Sequence, residues 1–273
     1  MYQIKNFLDN DDIKVTQKKG NIRVVEYLKD LSVNPYSCTT QYFAAKMNVR
    51  KKQVLIALDN DSYVTSAGAM QWTLGNVEAN SDVKGVGDFL GKALKGSVTK
   101  ESGVKPKYSG SGLLMLEPTY KHILIEDVSE WGSGMVLDDG MFLACQSTVN
   151  NNVVMRSNLS SAVLGNQGLF SLKLSGQGLA VLESPVPREE LIEIELKDDV
   201  IKIDGNFAVA WSDTLNFTVE KSGKSLLGSA VSAEGFVNVY RGTGRILVAP
   251  VLSNNTGFTM SSLGGISTQA SGR

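Results

Sequence analysis

The chain has 273 residues, of which 42% are hydrophobic, so it is long and apolar enough to bury a sizeable core. Its 27 Lys and Arg residues nearly balance 28 Asp and Glu residues, and the net charge is −1 at neutral pH. No overall basic field exists to gather nucleic acid. This excludes strong nucleic-acid binding through net charge and leaves a local basic patch as the alternative.

The first 35 residues are predicted to form an N-terminal extension, in which residues 4–9 make a turn of helix. The extension lacks a basic region followed by an apolar stretch, and it is neither rich in Arg nor poor in acidic residues. It therefore resembles neither a secretory signal nor a mitochondrial transit peptide. The sequence also has no run of about 18 apolar residues, the length of a membrane-spanning helix. These features predict a cytoplasmic location.

The two cysteines, Cys38 and Cys145, lie far apart and fit no metal-binding spacing. Cys145 ends an apolar run at residues 141–145, which predicts a buried and inert thiol.

Residues 83–100 combine lysines with large apolar residues and are interrupted by glycines. Within them, residues 88–95 are predicted to form about two amphipathic helical turns. Such a segment can dock on anionic lipid or on a protein partner, but a solvated loop whose apolar residues fold back on the body is the favoured interpretation. The candidate contact residues are Phe89, Leu90, Lys92, Leu94 and Lys95.

A Gly-x-Gly pattern recurs along the chain at an interval of 66 residues, with its first glycine at positions 110, 176 and 242. A second pattern, Asp-Gly-x-Phe, begins at Asp139 and again at Asp204, 65 residues later. Equal spacing of shared patterns is typical of tandem repeats. The chain is therefore predicted to contain three units, and a last strand closes the third. The predicted boundaries are 36–107, 108–173 and 174–239 for the units and 240–252 for the closing strand.

Within the units, apolar and polar residues alternate as in antiparallel strands with one buried face. Ile192, Ile194 and Leu196, for example, share one face of a predicted strand, while glutamates occupy the other. The dipeptides Asp139-Gly140 and Asp204-Gly205 favour hairpin turns, because both residue types tolerate positive φ.

The predicted fold class is all-β, with three tandem antiparallel β repeats of about 66 residues and little helix. The units and the N-terminal extension are expected to form one domain over residues 1–252. Residues 253–273 are rich in Ser, Gly, Thr and Asn and are predicted to form a flexible tail.

The repeated Gly-x-Gly strands, the Asp-Gly-x-Phe motifs and the closing sequence at 239–244 resemble those of the altered-inheritance-of-mitochondria family. The likeness covers about residues 36–250 and is strongest to bacterial members. The resemblance implies three repeats, each like a subunit of the tryptophan RNA-binding attenuation protein, a short double-stranded β-helix. It implies a role in mitochondrial inner-membrane organisation for fungal relatives and no established activity for bacterial ones. This chain departs from the mitochondrial members because it lacks a targeting segment.

The repeated glycines are candidate phosphate-binding residues, because a Gly-x-Gly that follows a strand can cradle a phosphate. The dinucleotide-binding pattern needs a third glycine three residues on and then a helix, whereas Met115 and Val181 occupy those positions and strands follow. A structural role at tight bends or close backbone approaches is therefore favoured. The glycines with this predicted role are Gly110, Gly112, Gly140, Gly176, Gly178, Gly205, Gly242 and Gly244.

Other patterns predict no catalytic residue, cofactor or metal site. Residues 223–225 resemble the end of a phosphate-binding loop, but Thr218 stands where that loop needs a glycine. His122 is the only histidine, and no Gly-x-Ser-x-Gly motif accompanies it. Glu117 and Glu183 occupy equivalent repeat positions, which would lie too far apart for paired acid–base chemistry.

These observations favour a non-enzymatic binding or scaffolding protein that assembles with itself or with a membrane-surface complex. Repeated β units offer equivalent grooves and exposed strand edges, which suit assembly. One alternative is nucleic-acid or small-ligand binding by analogy with the attenuation-protein fold, although balanced charge argues against strong RNA binding. An enzyme with an unrecognised site is the second alternative.

Overall fold

A computed structural model describes residues 2–80, 105–155, 170–221 and 236–251. These stretches form fifteen strands, one α-helix and two short 3-10 helices, and all strand pairing is antiparallel, which confirms the predicted all-β class. The strands are β1 (Ile13–Lys19), β2 (Ile22–Tyr27), β3 (Lys52–Thr65), β4 (Met70–Asn80), β5 (Lys107–Leu116), β6 (His122–Asp127), β7 (Met135–Leu137), β8 (Phe142–Gln146), β9 (Val149–Met155), β10 (Phe170–Gly176), β11 (Leu179–Ser184), β12 (Ile192–Asp204), β13 (Ala208–Ser212), β14 (Asn216–Lys221) and β15 (Phe236–Val248). The helix α1 is Cys38–Lys46, and the 3-10 helices are Val128–Trp131 and Arg188–Glu190.

The strands form two curled sheets. The eight-stranded sheet has the order β1-β2-β3-β8-β11-β6, with β5 paired to both β3 and β4. The seven-stranded sheet has the order β12-β15-β13-β7-β10-β9, with β14 paired to β15. Residues of β6, β7, β8, β10, β11 and β13 share one hydrophobic cluster, so the core joins the two sheets.

Burial along the strands follows their position in the sheet. All five residues of β13 are buried, because this strand lies between β15 and β7. In β12, which pairs only with β15 among the described strands, Leu196 is buried, whereas Ile192 is 49% exposed. The apolar face predicted for residues 192–196 is therefore only partly buried, because β12 lies at a sheet edge.

Asp139-Gly140 forms a turn and Gly205 forms a bend at the end of β12, but the prediction of hairpins was wrong. Asp139-Gly140 connects β7 to β8, which belong to different sheets, and Asp204-Gly205 connects β12 to β13, which both pair with β15. Gly140 and Gly205 have φ values of +75° and +64°. The dipeptides bend the chain locally, but side-chain packing over longer distances determines which strands pair.

The N-terminal extension differs from the prediction in two respects. Residues 6–9 form a bend and a turn instead of a helical turn, with Asn6 at φ 58°. β1 and β2 form a hairpin that continues the eight-stranded sheet through β3. The helix α1 was not predicted and lies inside the first predicted unit, residues 36–107.

The glycines of the repeated patterns lie at close approaches, bends and turns. In β5, a Cβ atom at Gly110 would lie 2.1 Å from the carbonyl oxygen of Asn76, and one at Gly112 would lie 2.1 Å from that of Leu74. Any side chain at these positions would separate β5 from β4. The remaining glycines end β10, lie in connections between strands, or lie within β15: Gly140, Gly176, Gly178, Gly205, Gly242 and Gly244.

The predicted unit boundaries at 107/108, 173/174 and 239/240 fall inside β5, β10 and β15. Three predictions concern residues outside the described stretches: the contact residues Phe89, Leu90, Lys92, Leu94 and Lys95, the loop at 223–225, and the tail at 253–273. In the part of the chain that is described, no helix has the length and apolar character needed to cross a membrane.

Candidate binding surface at the first helix

A side-chain-stabilised turn precedes the helix α1, and a backbone cap ends it. Before it, Asn34 Oδ1 accepts hydrogen bonds from the backbone N–H groups of Tyr36 and Ser37, both at 3.0 Å. After it, Asn48 adopts φ 67°, and the N–H groups of Asn48 and Val49 donate to the carbonyls of Ala45 and Ala44. This pattern is a Schellman motif, which satisfies the last carbonyls of a helix.

None of the nine residues of α1 is buried. The helix and the chain on either side of it expose several large apolar side chains, and Tyr36 and Met47 are 99% and 78% exposed. We call this set the α1 surface: Leu31, Tyr36, Tyr42, Phe43, Met47 and Val49. A short helix is marginal in water without packing. The helix and its flanking residues therefore expose six large apolar side chains, among which the rings of Tyr42 and Phe43 lie 5.4 Å apart.

A groove of about 220 Å³ lies between α1 and the end of β2. Its apolar lining includes Val33, Ala45 and Val49, and its aromatic lining includes Tyr27 and Tyr42. The Tyr27 hydroxyl donates to the Gln53 side chain, and burial raises the pKa of this phenol. The groove can therefore receive a small apolar group next to hydrogen-bonding side chains.

Ion pairs surround the groove. Lys51 Nζ lies 2.6 Å from Asp30 Oδ2, and hydrogen bonding with Lys51 lowers the pKa of Asp30. Arg50 Nη1 lies 2.9 Å from Glu26 Oε1. Lys46, in contrast, lies 5.2 Å from the ring centroid of Tyr42 and forms no ion pair with a described residue. Most cations here are therefore compensated, whereas Lys46, beside Tyr42 in α1, has no acidic partner among the described residues.

The N-terminal region carries more positive charge than the rest of the chain. Residues 1–52 contain ten Lys or Arg residues and five Asp or Glu residues, whereas acidic residues are in excess over residues 53–273. Lys14 and Lys18 of β1 are exposed and, within the described stretches, unpaired with an acidic side chain. The near-neutral total therefore conceals a basic N-terminal region that includes α1.

The structure does not bring the other sequence-predicted candidates together. His122 opens β6 and is paired in register with Ser184, and burial is the main cause that lowers its pKa. Glu183 Oε2 forms an ion pair with Lys121 Nζ at 2.7 Å. Cys145 is buried, as predicted, and burial raises the pKa of its thiol to about 12. Across the described stretches, no group of three or more His, Cys, Asp or Glu side chains could hold a metal ion.

A second concave site, which we call the cleft, has a volume of about 490 Å³ in the seven-stranded sheet. Its lining includes Val136, Trp211 and Phe217, and the rings of Trp211 and Phe217 stack with centroids 5.8 Å apart. Lys173 and Asp213 form an ion pair in the lining. The lining comes from five strands that are distant in sequence, so no local pattern could have predicted the cleft.

Sequence reasoning also missed the α1 surface. The available signals were Asn34 with Pro35 before a short segment of helix-forming residues, and Tyr42-Phe43 beside Lys46. The segment lacks the apolar periodicity by which amphipathic helices are recognised, in agreement with a helix that buries no residue.

Comparison with known proteins identifies the family to which the body of this chain is similar. The family model described as Mitochondrial biogenesis AIM24 matches residues 45–251, so it begins inside α1 and omits β1 and β2. No curated protein matches the chain. An X-ray structure of a Streptococcus pyogenes protein, a Northeast Structural Genomics Consortium target, is similar in fold, with a TM-score of 0.56 and 22% identity over 89% of this chain and 97% of that one. The chain belongs to the Mitochondrial biogenesis AIM24 family.

Proposed function

We propose that this protein is a non-enzymatic binding and scaffolding protein that docks on an anionic membrane surface through the α1 surface. The observation that carries the proposal is that α1 buries none of its nine residues, while its Tyr42 and Phe43 and the C-cap residue Met47 are exposed to solvent. Large apolar side chains that are exposed next to one another, as Tyr42 and Phe43 are, mark interaction surfaces on monomeric proteins.

Lipid is favoured as the partner because of the side chains that accompany the apolar ones. Aromatic residues such as Tyr42 suit the headgroup level of a bilayer, and Lys46 can keep its ammonium group at the phosphates while its aliphatic stem covers apolar surface. The basic excess in residues 1–52 would orient this end of the molecule toward anionic lipid over about a Debye length of 8 Å at physiological salt.

The membrane proposal is tested by vesicle flotation with phosphatidylcholine alone and with added phosphatidylglycerol. We expect the wild-type protein to float only with the anionic vesicles and to be released by high salt. The double variant Phe43→Ser with Met47→Ser should bind about 30-fold more weakly, since burying each side chain contributes on the order of 1 kcal/mol when it is only partly inserted.

The matched control is Val153→Ser, which removes a 45% exposed apolar side chain from β9 and should bind vesicles like the wild type. Equal binding by the wild type and the double variant would exclude α1 as the contact. Binding to neither vesicle, together with recovery of a protein cross-linked at Phe43, would assign the surface to a protein partner instead.

We also propose that the body consists of three equivalent units, each like a subunit of the tryptophan RNA-binding attenuation protein. A recurring pairing scheme supports this. The Gly-x-Gly strand of each proposed unit pairs with strands that precede it: β5 with β3 and β4, β10–β11 with β6–β9, and β15 with β12–β14. On this scheme the units span 52–116, 122–184 and 192–248, and each ends with the Gly-x-Gly strand.

The non-enzymatic part of the proposal rests on the absence of a recognised catalytic pattern in the sequence. Screening the full chain against ester, phosphate and glycoside substrates tests it. Turnover that is lost in His122→Ala or Glu183→Gln would identify a catalytic site and contradict the proposal, and so would turnover that persists in both variants and copurifies with the chain; turnover that further purification removes belongs to a contaminant.

The cleft supports a second candidate function, the binding of a small apolar ligand with hydrogen-bonding groups. Its volume of about 490 Å³ is typical of ligand sites, and it combines stacked rings with the Lys173–Asp213 pair. Native mass spectrometry of protein purified from its own cells should show a bound small molecule. Val154→Trp, which fills the cleft, should lose that molecule, whereas Val153→Trp on the neighbouring residue should keep it.

A further inference from the structure

Two strand pairings join the proposed units to one another. Residues Tyr63–Thr65 of β3, in the first unit, pair with residues 144–146 of β8, in the second. Residues Met135–Leu137 of β7, in the second unit, pair with residues 210–212 of β13, in the third. In each case the strand segment just before a turn pairs with the segment that follows the equivalent turn of the next unit.

The strand register identifies the two segments that are equivalent to these paired segments but are not themselves paired between units. Three residues spaced by 66 positions are equivalent in the three units: Tyr108, Leu174 and Tyr240. Their respective strand partners are therefore equivalent too: Tyr63, Met135 and Ile201. The same spacing relates a second set of three residues: Met115, Val181 and Leu247. Their respective strand partners are again equivalent: Trp72, Ala144 and Ala210. The third unit therefore has an outgoing segment at 201–203, and the first unit has an incoming segment at 72–74.

Neither segment has an inter-unit partner among the described strands. β12 pairs only with β15, and β4 pairs only with β5. Burial differs accordingly: Cys145 and Trp211, inside the two formed junctions, are buried, whereas their equivalent Thr73 is exposed. Lys202 is exposed too, whereas its equivalent Val136 is buried. An edge of this kind exposes backbone N–H and C=O groups and is a template for another chain.

We propose that a second copy of this chain fills these edges head to tail. In the register of the two existing junctions, Ile201 of one copy lies opposite Leu74 of the next, Lys202 opposite Thr73, and Ile203 opposite Trp72. Because the two surfaces differ, the contact is heterologous and produces a closed ring or an open filament of copies. The assembly uses no residue of α1 and is independent of membrane docking.

Cysteine cross-linking in trans tests this register. Cβ atoms of directly opposed residues lie about 4.5–5.5 Å apart, which is close enough for a disulfide after small adjustment. In a Cys38→Ser background, which removes the exposed native thiol, a mixture of Thr73→Cys and Lys202→Cys chains should form covalent dimers on mild oxidation. A Thr73→Cys chain mixed with Asp199→Cys, three positions away on β12, should form few dimers.

The double variant Thr73→Cys with Lys202→Cys distinguishes pairing between two copies from pairing of the two edges within one chain. A ladder of masses at multiples of the 29.4 kDa chain supports head-to-tail assembly. A single cross-linked monomer would overturn the proposal, because it would show that the chain closes on itself. No cross-link in either experiment, with a monomeric mass in native mass spectrometry at all concentrations, would also overturn it.

Charge provides a second readout that leaves the backbone intact. Thr73→Lys places a like charge opposite Lys202 and should weaken the assembly, whereas Thr73→Glu should strengthen it; opposed pairs contribute roughly 0.2–1 kcal/mol, a change of up to about fivefold in the dissociation constant. Thr73→Lys combined with Lys202→Glu should restore wild-type assembly. Failure of that restoration, with both chains folded, would contradict the proposed register.

Discussion

The helix α1 and the strand β13 differ sharply in the surroundings of their side chains. α1 buries none of its residues, whereas β13 buries all five. Each contains an aromatic side chain, and Phe43 in α1 is 62% exposed whereas Trp211 in β13 is 3% exposed. Aromatic content alone therefore does not indicate a core position. The body derives its stability from contacts like those of β13, and α1 has apolar surface to offer a partner.

The largest expected effect on stability comes from shortening Trp211, and the matched change at Phe43 is its control. Trp211→Ala removes a ring that stacks on Phe217 and meets Tyr240 edge-on at 5.3 Å, so it should lower the free energy of unfolding by about 3–5 kcal/mol. Phe43→Ala should change it by less than about 0.5 kcal/mol, as for other exposed positions. Urea unfolding followed by circular dichroism, at one protein concentration, measures both. Equal losses would mean that α1 belongs to the core, and the contrast between the two regions would fail.

A somewhat smaller effect is expected where two strands of the body touch. Gly110→Ala places a Cβ 2.1 Å from the Asn76 carbonyl oxygen at φ +132°, and should cost about 2–3 kcal/mol through crowding and backbone strain. The control is Gly68→Ala, at φ +75° with no described atom within 4 Å of the added Cβ, which should cost only the strain of about 1–2 kcal/mol. Thermal unfolding compares the two variants. A larger loss in Gly68→Ala would show that β4 can move away from β5.

The smallest effect on stability is expected from an ion pair at the surface of the body, whose side chains are neither fully buried nor fully exposed. Arg241 donates two hydrogen bonds to Glu220 and lowers the pKa of this carboxyl from 4.5 to about 2. Because the folded-state pKa is depressed, the pair stabilises the protein above pH 4.5, and this contribution disappears as the pH falls toward about 2. Both side chains are more than a third exposed, so the contribution is below about 1 kcal/mol.

Glu220→Gln should therefore lower the unfolding midpoint slightly at neutral pH, and the difference from the wild type should shrink as the pH falls below 4.5. Denaturant unfolding at a series of pH values measures this. A difference that does not depend on pH would indicate lost packing instead of lost charge.

The sequence was informative about single residues whose environment depends on their immediate neighbours. Cys145 was predicted to be buried from the apolar run around it, and it is. The α1 surface and the cleft were not predicted, because exposure and shape depend on elements distant in the chain. Phe43 beside Tyr42 would suit a core helix as well as a docking surface, and Trp211 and Lys173 line one cleft only because β7 pairs with both of their strands.

By itself, the sequence determined that this protein is built from antiparallel strands with little helix, and it marked the positions where the chain turns. These features follow from alternation and turn chemistry among residues a few positions apart. Only the tertiary structure decided that β7 and β8 lie in different sheets and that β15 pairs with three strands. It also decided that β1 and β2 extend the eight-stranded sheet. Every strand offers the same backbone donors and acceptors, so the choice among partners depends on how side chains from distant segments pack together.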